Sequence, residues 1–258
     1  NIYLDKEDNL LSAGTENTQI TWMDVKIDNK AITPRNGKTV ELNALWYNAL
    51  KIMARLAEKY EDKQLCKKYL EMANATKESF DKKFYNKDKK CLFDVLGDEK
   101  IRPNQLFALS LSHPIVDSIE IAENVLNVVE SKLLNDYGLK TLSSDDNEYV
   151  DVYEGAPYKR DSSYHQGITW PWLLGLYYDA IKNIIKIEKD NGKREMLEKK
   201  LLKLVEKTKN TFKTEMFERS SIGTISEIYD SKEPYEERGA FAQAWSVAEI
   251  FRIVSNRS

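Results

Sequence analysis

The chain has 258 residues, 41% of them hydrophobic and 31% charged, which is enough to bury one sizeable core or two small ones and excludes a linker or a disordered tail. Thirty-nine Lys and Arg stand against 42 Asp and Glu, and the formal net charge of -3 gives no pull toward a phosphate backbone or an anionic membrane. Nucleic acid and membrane are therefore not expected as partners. Cys66, Cys91, His113 and His165 match no ligand spacing, so no disulfide framework, zinc site or other metal is expected either.

No run of about 18 apolar residues occurs, and residues 1–10 are polar and acidic rather than basic and then apolar. The expectation is a soluble protein of a reducing compartment, cytoplasmic, in which the sequons at Asn74 and Asn256 are incidental.

In chain order, residues 41–60 predict a first helix, with Leu42, Leu45, Trp46, Ala49, Met53 and Leu56 on one apolar stripe. Leu65, Tyr69, Met72, Ala73, Thr76 and Phe80 repeat the pattern, and the short connection at Glu61 and Asp62 makes the two a hairpin. Pro103 opens a short third helix that His113-Pro114 ends. Asp117 with Glu120 resembles a capping box for a fourth, striped by Ile121, Val125, Val128 and Val129. Residues 135–164 carry Gly138, Gly155, Pro157 and an acidic run, and read as a long irregular, functional stretch. Residues 168–187 are apolar nearly all round and predict a buried fifth helix. The lysine-rich segment 196–217 predicts an exposed sixth, and 240–254 a seventh.

Seven helices and no convincing strand make the expected fold class all-α, a single domain over residues 1–258. The unusual residues precede alternate helices: Trp22 and Asp24 the first, Arg102, Asn104 and Gln105 the third, Asp161, His165 and Gln166 the fifth, Glu227 the seventh. Parallel odd-numbered helices would gather those loops on one face.

Several standard sites are absent. No two of the ten glycines are separated by one residue, which excludes a dinucleotide fingerprint and a nucleophile elbow. Gly37-Lys38-Thr39 lacks the earlier glycine of a phosphate loop, where Ile32 stands, and Asp145 to Asp151 places Tyr149 and Val150 where an EF-hand needs an oxygen ligand and a glycine. What remains is carboxylates among aromatic residues. Asp24 follows Thr21-Trp22-Met23, and Glu227 lies between Ser226 and Ile228-Tyr229. A carboxyl in apolar surroundings suits a proton donor, one held by hydrogen bonds suits a base, and glycoside hydrolysis needs such a pair. Trp22, Trp46, Trp170, Trp172 and Trp245 offer faces for sugar rings, with Trp46 and Trp172, deep in apolar stripes, read as core.

The strings Gln19-Ile20-Thr21-Trp22-Met23-Asp24, Thr33-Pro34-Arg35-Asn36-Gly37-Lys38 and Val40-Glu41-Leu42-Asn43-Ala44-Leu45-Trp46 closely resemble the glucosidase domain of glycogen debranching enzymes. So, in order, do Ile101-Arg102-Pro103-Asn104-Gln105, Tyr153-Glu154-Gly155, Tyr164-His165-Gln166-Gly167 with Trp170-Pro171-Trp172, and Ala242-Gln243-Ala244-Trp245-Ser246. The resemblance implies an (α/α)6 toroid of helix hairpins related to glucoamylase, needing no cofactor, that hydrolyses the α-1,6-linked glucose left at a trimmed glycogen or limit-dextrin branch with inversion. By motif it implies Asp24 as general acid and Glu227 as general base. It further implies that Trp22, Glu41, Asn43, Arg102, Asn104, Asp161, His165 and Gln166 line the glucose subsite, with Glu41 and Asp161 the reserve carboxylates. Seven helices fall short of six hairpins, so the chain is expected to be the C-terminal part of a longer protein, and an apolar flank left open by the missing part would favour self-association. Two alternatives stand beside this reading: another inverting glycosidase of the same toroid with a different oligosaccharide substrate, and a non-catalytic helical-repeat binding module. Unequal, chemically distinctive loops argue against the repeat.

Overall fold

The computed structural model describes residues 1–219 and 222–255, and the sequon at Asn256 lies outside them. The chain divides into two compact units, the first comprising residues 1–99 and 104–125, the second 100–103 and 126–258.

In the first unit β1 (Ile2–Leu4) and β2 (Leu11–Ala13) pair antiparallel, as do β3 (Lys26–Ile27) and β4 (Lys30–Ala31) across the two-residue turn Asp28-Asn29, where both φ are positive. The hairpin of α1 (Val40–Lys59) and α2 (Lys63–Lys83) follows, with Asp62 capping α2 by accepting from Leu65 N at 3.0 Å. Next come the antiparallel pair β5 (Tyr85–Asn86) and β6 (Cys91–Leu92), a 3-10 turn (Pro103–Leu106) and the single turn α3 (Phe107–Ser110). Then α4 (Ile119–Lys132) passes from the first unit to the second.

The expected hairpin of α1 and α2 is present, but the wrong stripe of α1 was expected to be buried. Ala44, Tyr47, Leu50, Ala54 and Ala57 form the buried face, whereas Leu45, Met53 and Leu56 are exposed large hydrophobics. Helix α1 packs against α2, and three of the five residues of this buried face are alanines. At α4 the start is made by Ser118, whose hydroxyl accepts from Ile121 N at 3.4 Å, rather than by Asp117, which pairs with Lys77 at 2.9 Å.

The second unit holds β7 (Leu134–Asn135), β8 (Gly138–Lys140), α5 (Pro157–Ser163), β9 (Thr169–Trp170), α6 (Leu173–Ile187), α7 (Asn191–Glu218), β10 (Ile228–Tyr229), β11 (Glu237–Arg238) and α8 (Ala244–Ser255). Its strands make one antiparallel sheet in the order β11-β10-β9-β8-β7. This sheet fixes the loops around it, because Gln166 and Gly167 lead into β9 and Glu227 into β10.

The described residues therefore contain eight α-helices, not seven, and eleven short strands where none was expected. The additional helix, α5, lies inside the stretch read as irregular, with Pro157 pre-set for its first turn. The architecture is nonetheless dominated by helices, with sheets of two- and three-residue strands serving as clasps. The expected all-round burial of the fifth helix is not found: α6 starts at Leu173, after strand β9, and buries eight of its 15 residues, while α7, as expected, is largely exposed, with four of 28 buried. No helix among the described residues is long and apolar enough to cross a membrane.

Candidate active site

In the first unit the residues around Asp24 rest on a buried polar network. Arg35 donates to both oxygens of Glu41, through Nη1 to Oε1 and through Nη2 to Oε2 at 2.7 Å. It also donates to both carboxylate oxygens of Asp94, at 2.6 Å from Nε and 3.1 Å from Nη2. Burial works against the Arg35 charge, but Asp94 and Glu41 outweigh it and hold the guanidinium above its usual value. Asp94 accepts from Asn104 Nδ2 at 2.8 Å, and Asn104 Oδ1 accepts from the indole Nε1 of Trp22 at 2.7 Å. A chain of hydrogen bonds thus runs from the start of α1 to the indole two residues before Asp24. Met23 is fully buried between Trp22 and Asp24, and Asp24 itself is exposed.

Glu41 and Asn43 consequently spend their polar atoms on the protein. Asn43 is fully buried, accepting from Leu11 N at 2.7 Å and donating to Leu11 O at 3.0 Å and Thr39 O at 2.9 Å. Asp94 and Arg35 are the members of this network that the sequence reading did not place. A lone acid in the apolar run Leu92-Phe93-Asp94-Val95 was the available signal, since such a charge must find a buried partner.

In the second unit Arg102 is buried and grips main chain. Its Nη1 donates to Thr141 O at 2.9 Å and His165 O at 2.6 Å, and its Nη2 to Gln166 Oε1 at 2.6 Å. Gln166 in turn donates to Glu148 Oε2 at 3.0 Å. Gly167, with φ +136, is required where it stands, because a Cβ there would collide with Val150 O and the Tyr149 ring. His165 is fully buried, stacked on Trp170 with centroids 5.3 Å apart and tilted against Tyr164 at 4.8 Å. Trp172 stacks on Trp245 at 4.9 Å. The core reading of Trp172 agrees with its burial, while Trp46 is only half-buried.

Glu227 is half-buried at the edge of an open cleft of about 570 Å³, lined also by Tyr153, Glu154, Arg160, Arg238 and Gly239. Each of its oxygens accepts one hydrogen bond, Oε2 from Ala240 N at 3.0 Å and Oε1 from Gln243 Nε2 at 2.9 Å. Gly239, with φ +70, lies directly against the carboxylate, and a Cβ there would run into Oε2. Asp161 stands beside the cleft through Arg160, whose Nε donates to it at 2.8 Å, and Tyr153, whose hydroxyl donates at 3.1 Å. The Arg160 hydrogen bond, against slight burial, holds the Asp161 carboxyl below its usual range. Arg238 is tied to Asp230 at 2.8 Å, and Asp230 accepts from Tyr153 N at 2.8 Å. Glu154, quoted in the Tyr153-Glu154-Gly155 string, is a second carboxylate in the cleft lining that the sequence reading did not single out. The cleft has what proton transfer needs on one side: an oriented carboxylate with acceptor capacity left on both oxygens.

Comparison with known proteins bears on what that carboxylate serves. A glycogen debranching enzyme of Saccharomyces cerevisiae is 24% identical over 224 residues, covering 69% of this chain and 14% of that protein's length. Among solved structures, a sialidase chain superposes with a TM-score of 0.63 at 12% identity, over 85% of this chain and 20% of its own, a likeness of fold alone. The chain thus spans about one seventh of the curated relative and one fifth of the solved structure. The model of a protein family, amylo-alpha-1,6-glucosidase, matches residues 1–252 and so runs through both units. The chain belongs to the amylo-alpha-1,6-glucosidase family, a family of glycoside hydrolases.

Proposed function

We propose that this chain carries the hydrolytic centre of a debranching glucosidase, releasing α-1,6-linked glucose from trimmed branches of glycogen or a related α-glucan in the cytoplasm, and that its two units belong to one catalytic domain. The observation that carries the reading is Glu227, a carboxylate held by Ala240 N and Gln243 Nε2 at the edge of a cleft large enough for a sugar. In this scheme Glu227 is the general base that takes a proton from water, and Asp24, exposed beside the anchored Trp22, is the general acid that protonates the leaving oxygen. Inversion requires the two carboxyl groups to stand roughly 6.5 to 9.5 Å apart, leaving room for that water.

Trp22 supplies a ring face to the glucose, and Asp161 with Gln166 supplies polar contacts. Glu41, Asn43, Asn104, Arg102 and His165, all buried, act by holding the loops that carry these groups.

The test is kinetic, in the whole protein. Asp24→Asn and Glu227→Gln should each lower turnover of an α-1,6-glucosyl substrate by about 10²-fold or more, since each removes a proton-transfer partner while keeping side-chain shape. A substrate with an activated leaving group should largely bypass the loss in Asp24→Asn but not in Glu227→Gln. Equal slowing of both substrates by Asp24→Asn would move the acid role elsewhere, first to Asp161. The anomer released first, read by NMR, checks inversion.

A further inference from the structure

Next to the strand pair that positions Glu227 lies a second set of ionisable groups with no part in the acid–base scheme. Glu215, near the end of α7, is fully buried. Its Oε1 accepts from the hydroxyl of Tyr229, also fully buried, at 2.9 Å, and its Oε2 lies 3.4 Å from Arg219 Nε. Arg219 also pairs with Glu237, Nε to Oε1 at 2.9 Å and Nη2 to Oε2 at 3.2 Å, and donates Nη1 to the Tyr137 hydroxyl at 2.9 Å.

These groups sit on the elements that aim Glu227. Tyr229 and Glu237 are register partners in the β10 and β11 pair. Glu227 immediately precedes β10 and Gly239 immediately follows β11. There the ladder continues with Glu227 N donating to Ala240 O at 2.9 Å, and Ala240 N closing on the Glu227 carboxylate. A displacement at Tyr229 is therefore carried two residues along to Glu227, and one at Glu237 three residues along to Ala240, its hydrogen-bond donor.

We propose that Glu215 is a positioning residue for the reaction, latching α7 to β10 through Tyr229 and to β11 through Arg219, and thereby setting where Glu227 stands in the cleft. The proposal rests on the reading of Glu227 as the base. It has a charge dependence built into it. The groups facing Glu215 are Arg219 immediately after its own helix, Tyr229 on β10 and Glu237 on β11, with Tyr137 reaching Arg219 from the turn between β7 and β8. Two carboxylates share one guanidinium, so one proton balances the cluster. Burial, with the nearby Glu237, raises the Glu215 carboxyl to about 7, whereas Glu237, although partly buried, is held below its usual value by a backbone hydrogen bond and Arg219. As pH rises through neutrality Glu215 gains a charge against Glu237, and the latch loosens.

The experiment measures kcat and KM against pH for the whole protein and three variants. Glu215→Gln, permanently neutral, should move the alkaline limb of kcat by about one pH unit or more with KM changed less than about twofold. Glu215→Leu, which removes the acceptor of the Tyr229 hydroxyl, should lower kcat by about tenfold or more at every pH with KM again little changed. Should Glu215→Leu fail to fold, Tyr229→Phe, which deletes only the hydroxyl, takes its place and should lower kcat without raising KM. An alkaline limb unmoved in Glu215→Gln overturns the proposal, as does unchanged kcat in Glu215→Leu or its substitute. Glu227→Gln, run alongside, separates the failures: if it keeps full turnover, the reading of the base is wrong. If it abolishes turnover while the Glu215 variants match the parent, only the latch is wrong.

Discussion

Replacing Arg35 by methionine removes the cation that bridges two buried carboxylates, Glu41 and Asp94. The side chains of Arg35, Glu41 and Asp94 are 2%, 3% and 1% exposed, so water has no access to the charges left behind. The side chain also gives up every hydrogen bond to Glu41 and Asp94, including the contacts from Nη2 to Glu41 and from Nε to Asp94. Breaking one buried ion pair by removing a partner costs about 3–5 kcal/mol, because the survivor is stranded rather than because the pair was worth so much. Two survivors put Arg35→Met at the upper part of that range. Against a total stability of about 5–15 kcal/mol this is a large loss, equivalent to a fall in Tm of roughly 8 to 20 °C in a chain of this size. Urea unfolding followed by tryptophan fluorescence measures it. Adding Glu41→Gln and Asp94→Asn to Arg35→Met should restore part of the stability, since the amides carry no charge. A loss below about 1 kcal/mol in Arg35→Met, or a triple variant no more stable than the single one, would refute the argument that desolvated charge governs this network.

Gly239→Ala should fold yet lose about tenfold or more in kcat, because its Cβ meets Glu227 Oε2 at a backbone angle that disfavours side chains; unchanged turnover would show that the carboxylate is not held as described. Asn104→Ala should cost about 1–3 kcal/mol in urea unfolding and shift tryptophan emission, since the Trp22 indole and Asp94 each lose a partner. Glu215 makes stability depend on pH. Its carboxyl is raised from 4.5 to about 7, so the folded state keeps a proton that the unfolded state has released; the stabilising contribution is complete below 4.5 and is lost as pH rises to about 7. The difference of 7 − 4.5 = 2.5 units sets an upper bound of about 3 kcal/mol, and the fall should be absent from Glu215→Gln, with parallel pH–stability curves the contrary result.

The long helices were legible because a 3.6-residue period over 15 to 28 residues leaves little ambiguity; α1 and α2 lie where periodicity puts them, while α6 begins five residues later and α7 five residues earlier than it places them. Which face of α1 is buried was not legible. The helix has apolar residues on two stripes, and the bulkier one, with Leu45, Met53 and Leu56, suggests the buried face, whereas the stripe that is buried has three alanines among Ala44, Tyr47, Leu50, Ala54 and Ala57. The strands escaped because segments of two or three residues cannot display an alternation of period two. The strings around Asp24, His165 and Glu227 marked the candidate site, but not the partners that orient it. Glu215 was hidden in a lysine-rich helix, where one more acid looks like solvated surface, and only the fold reveals that it points inward beside Phe212.

A side chain that clasps carbonyl oxygens is indifferent to what those residues carry. Arg102 holds the main chain of Thr141 and His165, so the shape of that loop is encoded at position 102 and not at 141 or 165. Sequence drift at position 165 is thereby decoupled from the clasp, while drift at position 102 is not. In a set of related sequences the two positions carry different kinds of information. A change of Arg102 demands compensation at Gln166, whose side chain it also grips, whereas persistence of an imidazole at 165 reports what the ring itself does among Tyr164 and Trp170.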